Sequence, residues 1–292
     1  MAPDYLFPHS VDEALDMLQR CAGAGRIIAG GTDLMLDIKQ GRRAVDTFVD
    51  ITRIPELRGI RALDDGTIWI GAATTHREIW ESELIQARAA VLAQACRRVG
   101  ALQIQSVGTL GGNVVNAMPA ADGSIALAAL SAEAEIATLS GRRWLPLSEI
   151  FSQPGVCKIE PSAQILTALR FRALGRRAGS AFQRLARRRA LSLPMLNCGV
   201  VVQLNPAGDH FEFAAIALGP VAPVPWRAAA AEAFLAGAPA DDATLRQAAD
   251  LTLQGAEPRT SILRASREYR LEIIRVLTRR ALEQAVAQAR AG

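Results

Sequence analysis

The sequence is poor in the side chains that do most acid–base and nucleophilic work. Its 292 residues hold three histidines, two tyrosines and four cysteines. His9, His76 and His210 show neither helical nor metal-ligand spacing. Cys21, Cys96, Cys157 and Cys198 form no CxxC and no CxH pair, which argues against a disulfide framework and a local iron–sulfur or zinc motif. Buried free thiols are the expected state. GxSxG and Gly-Lys-Ser/Thr are both missing. Paired carboxylates occur at Asp64-Asp65 and Asp241-Asp242, where turns and helix caps account for them. These absences leave no catalytic side chain and no metal ligand to assign. Hard chemistry is expected from a bound cofactor instead.

Lysine is nearly absent: Lys39 and Lys158 stand alone among 33 basic residues, against 29 acidic ones. The net charge of +4 is spread along the chain and is weak ground for a nucleic-acid partner. The run Arg184, Arg187, Arg188, Arg189 has only Phe182 near it for base stacking, so a solvated face or a protein contact is expected and nucleic acid is not. Long apolar runs are missing too. The longest, Ile125 to Leu139, is interrupted by Glu133 and Glu135 and is too short for a membrane span. The start, Met1 to Tyr5, has no basic n-region or apolar h-region, so no secretory leader and a cytoplasmic location are expected.

What is present is an ordinary globular composition, 50% hydrophobic and 21% charged, on a chain long enough for two cores. Ser10 and Glu13 have capping-box spacing before a helix with Val11, Ala14, Leu15 and Leu18 on one face. Strands are expected over 26–29 and 44–51. Asp65-Gly66 marks a hairpin before the strand 67–71. Thr75 and Glu78 repeat the capping box, with one helical pattern from Ile79 to Val99. A glycine-rich loop follows over 108–113. A helix over 124–131 and strands over 133–139, 143–147 and 164–171 close this part. The basic, small-residue stretch 174–180 is read as a boundary. Beyond it lie strands near 181–187, 196–204 and 211–218, then helices over 227–236, 242–254 and 266–289. Strands first and helices last give an α+β class.

Two glycine loops carry the functional argument. One is Ala29, Gly30, Gly31, Thr32, Asp33, directly after a strand; the other is Thr109, Leu110, Gly111, Gly112, Asn113. Consecutive glycines can take positive φ, and successive N–H groups in such turns form anion-binding nests. Two nests from separate lobes could grip one diphosphate, with Asp122 as an acceptor for a sugar hydroxyl. Valine at Gly111 or Gly112 is then expected to empty the site while sparing the fold. A tight turn explains either Gly-Gly alone, and with both loops together the two readings stay open. Neither loop has the GxGxxG pattern of a Rossmann site.

Residues 29–34 (Ala-Gly-Gly-Thr-Asp-Leu) and 103–114 (Gln-Ile-Gln-Ser-Val-Gly-Thr-Leu-Gly-Gly-Asn-Val), with Pro119 and Asp122, resemble the two FAD signatures of molybdenum hydroxylase flavoproteins. These are the medium subunits of the xanthine dehydrogenase and carbon monoxide dehydrogenase family. The segments 7–15, 49–59, 70–75, 179–182, 187–188 and 264–270 fit the same pattern. The resemblance implies a PCMH-type, vanillyl-alcohol-oxidase-like FAD domain of two α+β lobes over 1–174, then an α+β domain over 175–292. It implies FAD held by Ala29, Gly30, Gly31, Thr32, Asp33, Leu34, Thr109, Leu110, Gly111, Gly112 and Asn113. Val99 and Gly100 would line the cofactor, Asp122 would meet a sugar or ribityl hydroxyl, and Leu166 would pack on the isoalloxazine. It also implies a [2Fe–2S] small subunit and a molybdopterin large subunit as partners, in a dimer of heterotrimers, with NAD or another compound as the acceptor. Two other readings are a stand-alone FAD oxidase or reductase and a non-catalytic Arg-rich binding protein.

Overall fold

The structure is a computed structural model that describes residues 3–261 and 265–292. The chain opens with β1 (Asp4–Leu6), α1 (Val11–Arg20), β2 (Gly25–Ile28), α2 (Leu34–Lys39) and β3 (Thr47–Asp50). The three strands form a parallel sheet in the order β1-β3-β2. Helix α1 starts where Ser10 Oγ accepts from Glu13 N at 3.1 Å. The Glu13 carboxylate accepts from His9 N at 2.6 Å rather than from Ser10, so the reciprocal half of the expected box is shifted by one residue. Val11, Ala14, Leu15 and Leu18 are all buried, as helical spacing dictates.

The next run is β4 (Ile60–Ala62), β5 (Thr67–Gly71), α3 (His76–Glu81), α4 (Glu83–Arg88), α5 (Ala90–Cys96), α6 (Leu102–Gln105), α7 (Leu110–Val115) and α8 (Asp122–Ala129). Strands β6 (Glu133–Thr138), β7 (Gly141–Pro146), β8 (Phe151–Gln153), β9 (Val156–Cys157) and β10 (Ile165–Arg172) follow. Five of these strands make an antiparallel sheet in the order β4-β5-β10-β6-β7. The single helix expected over 79–99 is three short ones. Ser82 ends α3 in extended geometry and caps α4 through Ile85 N, and Ala89 breaks the path again before α5. The expected glycine loop over 108–113 is mostly helix α7.

The last part holds β11 (Ala178–Ala186), β12 (Pro194–Leu204), β13 (Phe211–Gly219), β14 (Trp226–Arg227), α9 (Ala229–Leu235), α10 (Asp242–Leu251) and α11 (Arg267–Ala291). The strands form one antiparallel sheet in chain order. Helix α11 lies on β11 so closely that a Cβ on Gly179 would sit 1.9 Å from Ala285 O. The opposite face receives α5 and α8. Val91, Ile125 and Leu127 share a core with Phe182, Val201, Ala215 and Ala217. Leu196, Cys198, Val200 and Val202 face the other way, into the core with α11. The central strand is thus buried on both sides, and period-2 alternation decides which residues meet the earlier helices. Arg264, in the stretch matched at 264–270, lies outside the described residues.

Candidate functional site

Strand β2 delivers Ala29–Asp33 to the edge of the first sheet. Gly31 has φ +65°, a backbone that L side chains rarely adopt. Gly30 is there for a different reason: a Cβ on it would fall 2.0 Å from Val107 O and 2.8 Å from Gly108 Cα. The two glycine loops therefore meet backbone to backbone. Among the described residues, no acceptor takes the N–H groups of Gly30, Gly31, Thr32 or Asp33. A run of successive free donors on a turn is the pattern from which an anion-binding nest is built. Such a run fits the diphosphate of a dinucleotide. Leu34 begins α2 and packs with Ile28, Val45 and Phe48.

The second loop is built differently from the sequence expectation. Gly111 and Gly112 are helical residues of α7, and positive φ is confined elsewhere. Their N–H groups are already used: Leu110 N donates to Thr74 O at 3.0 Å, Gly111 N to Ala72 O at 2.9 Å, and Gly112 N to Thr109 Oγ1 at 3.0 Å. Asn113 N donates to Thr109 O at 3.0 Å, while its Oδ1 accepts from Ser124 N at 3.1 Å and ties α7 to α8. The second nest of the expected pair is therefore not formed. The first loop closes against Val107 and Gly108, just before the second, and in the second only Thr109 N–H lacks an acceptor among the described residues. Gly111 is required by packing, since a Cβ there would lie 2.6 Å from Ala72 O.

His76 borders the same junction, and Val99 and Gly100 lie between α5 and α6. His76 N donates to Gly108 O at 3.0 Å, and its buried ring places Nδ1 3.4 Å from Cys96 Sγ. Burial pushes the imidazole down to about 4 and the Cys96 thiol far up, so both are neutral. Gly100 has φ +51°, and its carbonyl accepts from Leu191 N at 2.9 Å. Val99 O accepts from Gln105 Nε2 at 2.9 Å. Leu166, on β10, is placed within the apolar core of the second sheet, 5% exposed.

Asp122 opens α8 and is 5% exposed. Its Oδ1 accepts from Asn197 Nδ2 at 2.7 Å, and both oxygens accept from Arg184 Nε at 3.1–3.2 Å. Burial pushes the carboxyl up to about 6, and the Arg184 guanidinium and Asn197 pull the other way. Arg184 and Asn197 were not legible as partners of Asp122 because they are 62 and 75 positions away in sequence. Alternation along β11 was the available signal: Ser180, Phe182 and Arg184 share the face turned to the earlier helices. Arg184 also bonds Ser192 O. It therefore separates from Arg187–Arg189, which are exposed, and the basic run is not one surface feature. Among the described residues no His, Cys, Asp and Glu group is arranged to hold a metal, and no helix is long and apolar enough to cross a membrane.

Comparison with known proteins gives a concordant result. Residues 1–171 match the FAD binding domain in molybdopterin dehydrogenase, and residues 180–285 match the CO dehydrogenase flavoprotein C-terminal domain. A xanthine dehydrogenase FAD-binding subunit of Escherichia coli O157:H7 is 32% identical over 265 residues, covering 90% of this chain and 89% of its own. The carbon monoxide dehydrogenase medium chain of Hydrogenophaga pseudoflava is 28% identical, covering 98% and 97%. A solved carbon monoxide dehydrogenase from Hydrogenophaga pseudoflava superposes with TM-score 0.91 at 30% identity over 99% of both chains. Quinoline 2-oxidoreductase from Pseudomonas putida 86 superposes with TM-score 0.90 at 26% identity, over 99% and 98%. With both parts matched, the non-catalytic binding reading is set aside, and the chain belongs to the FAD-binding flavoprotein subunits of the molybdopterin dehydrogenase family.

Proposed function

We propose that this chain carries electrons through FAD within a molybdenum-containing hydroxylase or dehydrogenase. Electrons arrive from a [2Fe–2S] small subunit, which a molybdopterin large subunit has reduced, and leave to NAD or another acceptor. The assembly is a dimer of heterotrimers in the cytoplasm, and the cofactor part of this chain ends near Leu174. The observation that supports the cofactor geometry most directly is the free N–H run Gly30–Asp33, closed against Val107 and Gly108. That run would hold the diphosphate. Thr109 to Asn113 would lie beside neighbouring groups, Val99 and Gly100 would line the cofactor, Asp122 would accept from a sugar or ribityl hydroxyl, and Leu166 would pack on the isoalloxazine ring. FAD supplies one- and two-electron chemistry; the chain's own residues bind it, orient it and keep it fixed. No side chain of this site needs to move a proton.

The test is reconstitution. The isolated chain should hold one FAD non-covalently, released into the supernatant by acid. An artificial reductant should bleach it, yet no purine, aldehyde or N-heterocycle should be oxidised. Adding both partner subunits should restore substrate-driven bleaching, and omitting the iron–sulfur subunit should slow it severely. Turnover of an organic substrate by the isolated chain at roughly 1 per second or more, the range of complete enzymes, would replace this reading with the stand-alone flavoenzyme.

A further inference from the structure

We infer that Arg184 and Asn197 are positioning residues of the FAD site, holding the Asp122 carboxylate so that the C-terminal sheet completes the cofactor site. The inference rests on the reading that Asp122 meets a cofactor hydroxyl. Two independent contacts point the same way. Arg184 Nε lies 3.1–3.2 Å from both Asp122 oxygens and Asn197 Nδ2 2.7 Å from Oδ1. The segment beyond Arg184 then folds back, so that Leu191 N donates to Gly100 O at 2.9 Å. One end of the β11–β12 pair thus reaches two separate positions expected to border the cofactor.

An ionised carboxylate only accepts hydrogen bonds, and among the described residues Asp122 Oδ2 takes just the Arg184 donor, so it has capacity for a hydroxyl. Burial opposes that ionised form. The side chains of Arg184 and Asp122 are 7% and 5% exposed, so water does little to screen or solvate the pair. The groups that face Asp122 are Arg184 on β11, Asn197 on β12, and Arg98 and the Cys96 thiol at the end of α5. Among the described residues Arg184 is the nearest cation. It is therefore the group that keeps Asp122 an acceptor near neutral pH.

The experiment measures FAD affinity of the full chain by flavin fluorescence between pH 5 and 8.5. Wild type should bind evenly above pH 7 and weaken as pH falls through about 6. In Arg184→Gln the midpoint should rise by roughly 1–3 units, the effect of removing an adjacent opposite charge, with about a tenfold loss at pH 7. Arg184→Lys keeps the charge and should return the midpoint close to wild type. Asp122→Asn should bind weakly with no such midpoint. If Arg184→Gln lowers only the unfolding temperature and keeps the wild-type pH profile, the pair is a strut between sheets and the inference fails. If Asp122→Asn binds FAD like wild type, the inference also fails, while the electron-transfer reading stands on the flavin retained. A wild-type chain that bound no FAD would overturn both.

Discussion

His76 and Asp122 show how position sets charge at the level of single residues. Both are buried, and both are pushed toward their neutral forms, but their effects on stability run in opposite directions with pH. The His76 imidazole is lowered to about 4 from an ordinary value of 6.5. Between those values the unfolded chain binds a proton that the folded chain refuses. Stability from this group is therefore full above pH 6.5 and is lost as pH falls toward 4, by about 3 kcal/mol in total. Asp122, raised to about 6 from 3.8, favours the fold below pH 3.8, and that contribution is lost as pH rises through 6. Comparing variants separates the two. Urea midpoints at pH 7 and 4.5 should fall less for His76→Gln than for wild type. Equal falls would show that the imidazole is protonated without cost.

At the scale of elements, the two glycine pairs look alike in sequence and do unlike work. Gly30 and Gly111 are places where a Cβ would strike backbone, Val107 O at 2.0 Å and Ala72 O at 2.6 Å. Gly112 would meet only Thr109 Oγ1, at 3.0 Å, and its backbone is already helical. Alanine is the better helix former there by roughly 1 kcal/mol, which offsets a small shift of the threonine. Gly30→Ala should therefore displace the nest and cost at least about tenfold in FAD affinity, of order the local strain of 1–3 kcal/mol. Gly112→Ala should keep FAD and stay near wild-type stability. Flavin content and circular dichroism melts of the pair decide this, and a Gly30→Ala protein with full, tight FAD would disprove the close-approach argument. A valine at Gly111, expected from sequence to spare the fold, should instead destabilise it, because the clash is with the β5–α3 connection beneath α7.

On the scale of the whole molecule, the sheet of β11–β14 is a shared wall rather than an appended module. Gly199 sits in its seam with the preceding part. A Cβ there would lie 3.3 Å from both Ala129 Cβ and Val91 Cγ2. Ser180 Oγ accepts from Val91 N at 3.0 Å, and Gln94 Oε1 accepts from Phe182 N at 2.8 Å. With one apolar cluster spanning Val91, Ile125, Phe182 and Val201, the two parts should unfold together. Gly199→Val overpacks that seam, at about 1–3 kcal/mol, and should lower the melting temperature of a single transition. Two resolved transitions, with only one of them shifted, would mean that the halves are thermodynamically independent.

The sequence by itself determined most of the secondary structure and the place where a cofactor is to be sought. Helix α1, the Asp65-Gly66 turn and the C-terminal order of strands then helices follow from local periodicity and turn chemistry, which neighbours in sequence decide. The free N–H run at Gly30–Asp33 was legible for the same reason, as a glycine pair directly after a strand. Tertiary structure decided the rest. Whether Gly111 and Gly112 offer their N–H groups depends on Ala72 O and Thr109 Oγ1 taking them first, and Ala72 lies in the distant β5–α3 connection. Whether Asp122 is a lone acceptor or the centre of a buried cluster depends on Arg184 and Asn197, which only the pairing of β11 with β12 against α8 brings within 3.2 Å. Long-range packing sets which polar groups are already satisfied, and no local pattern carries that information.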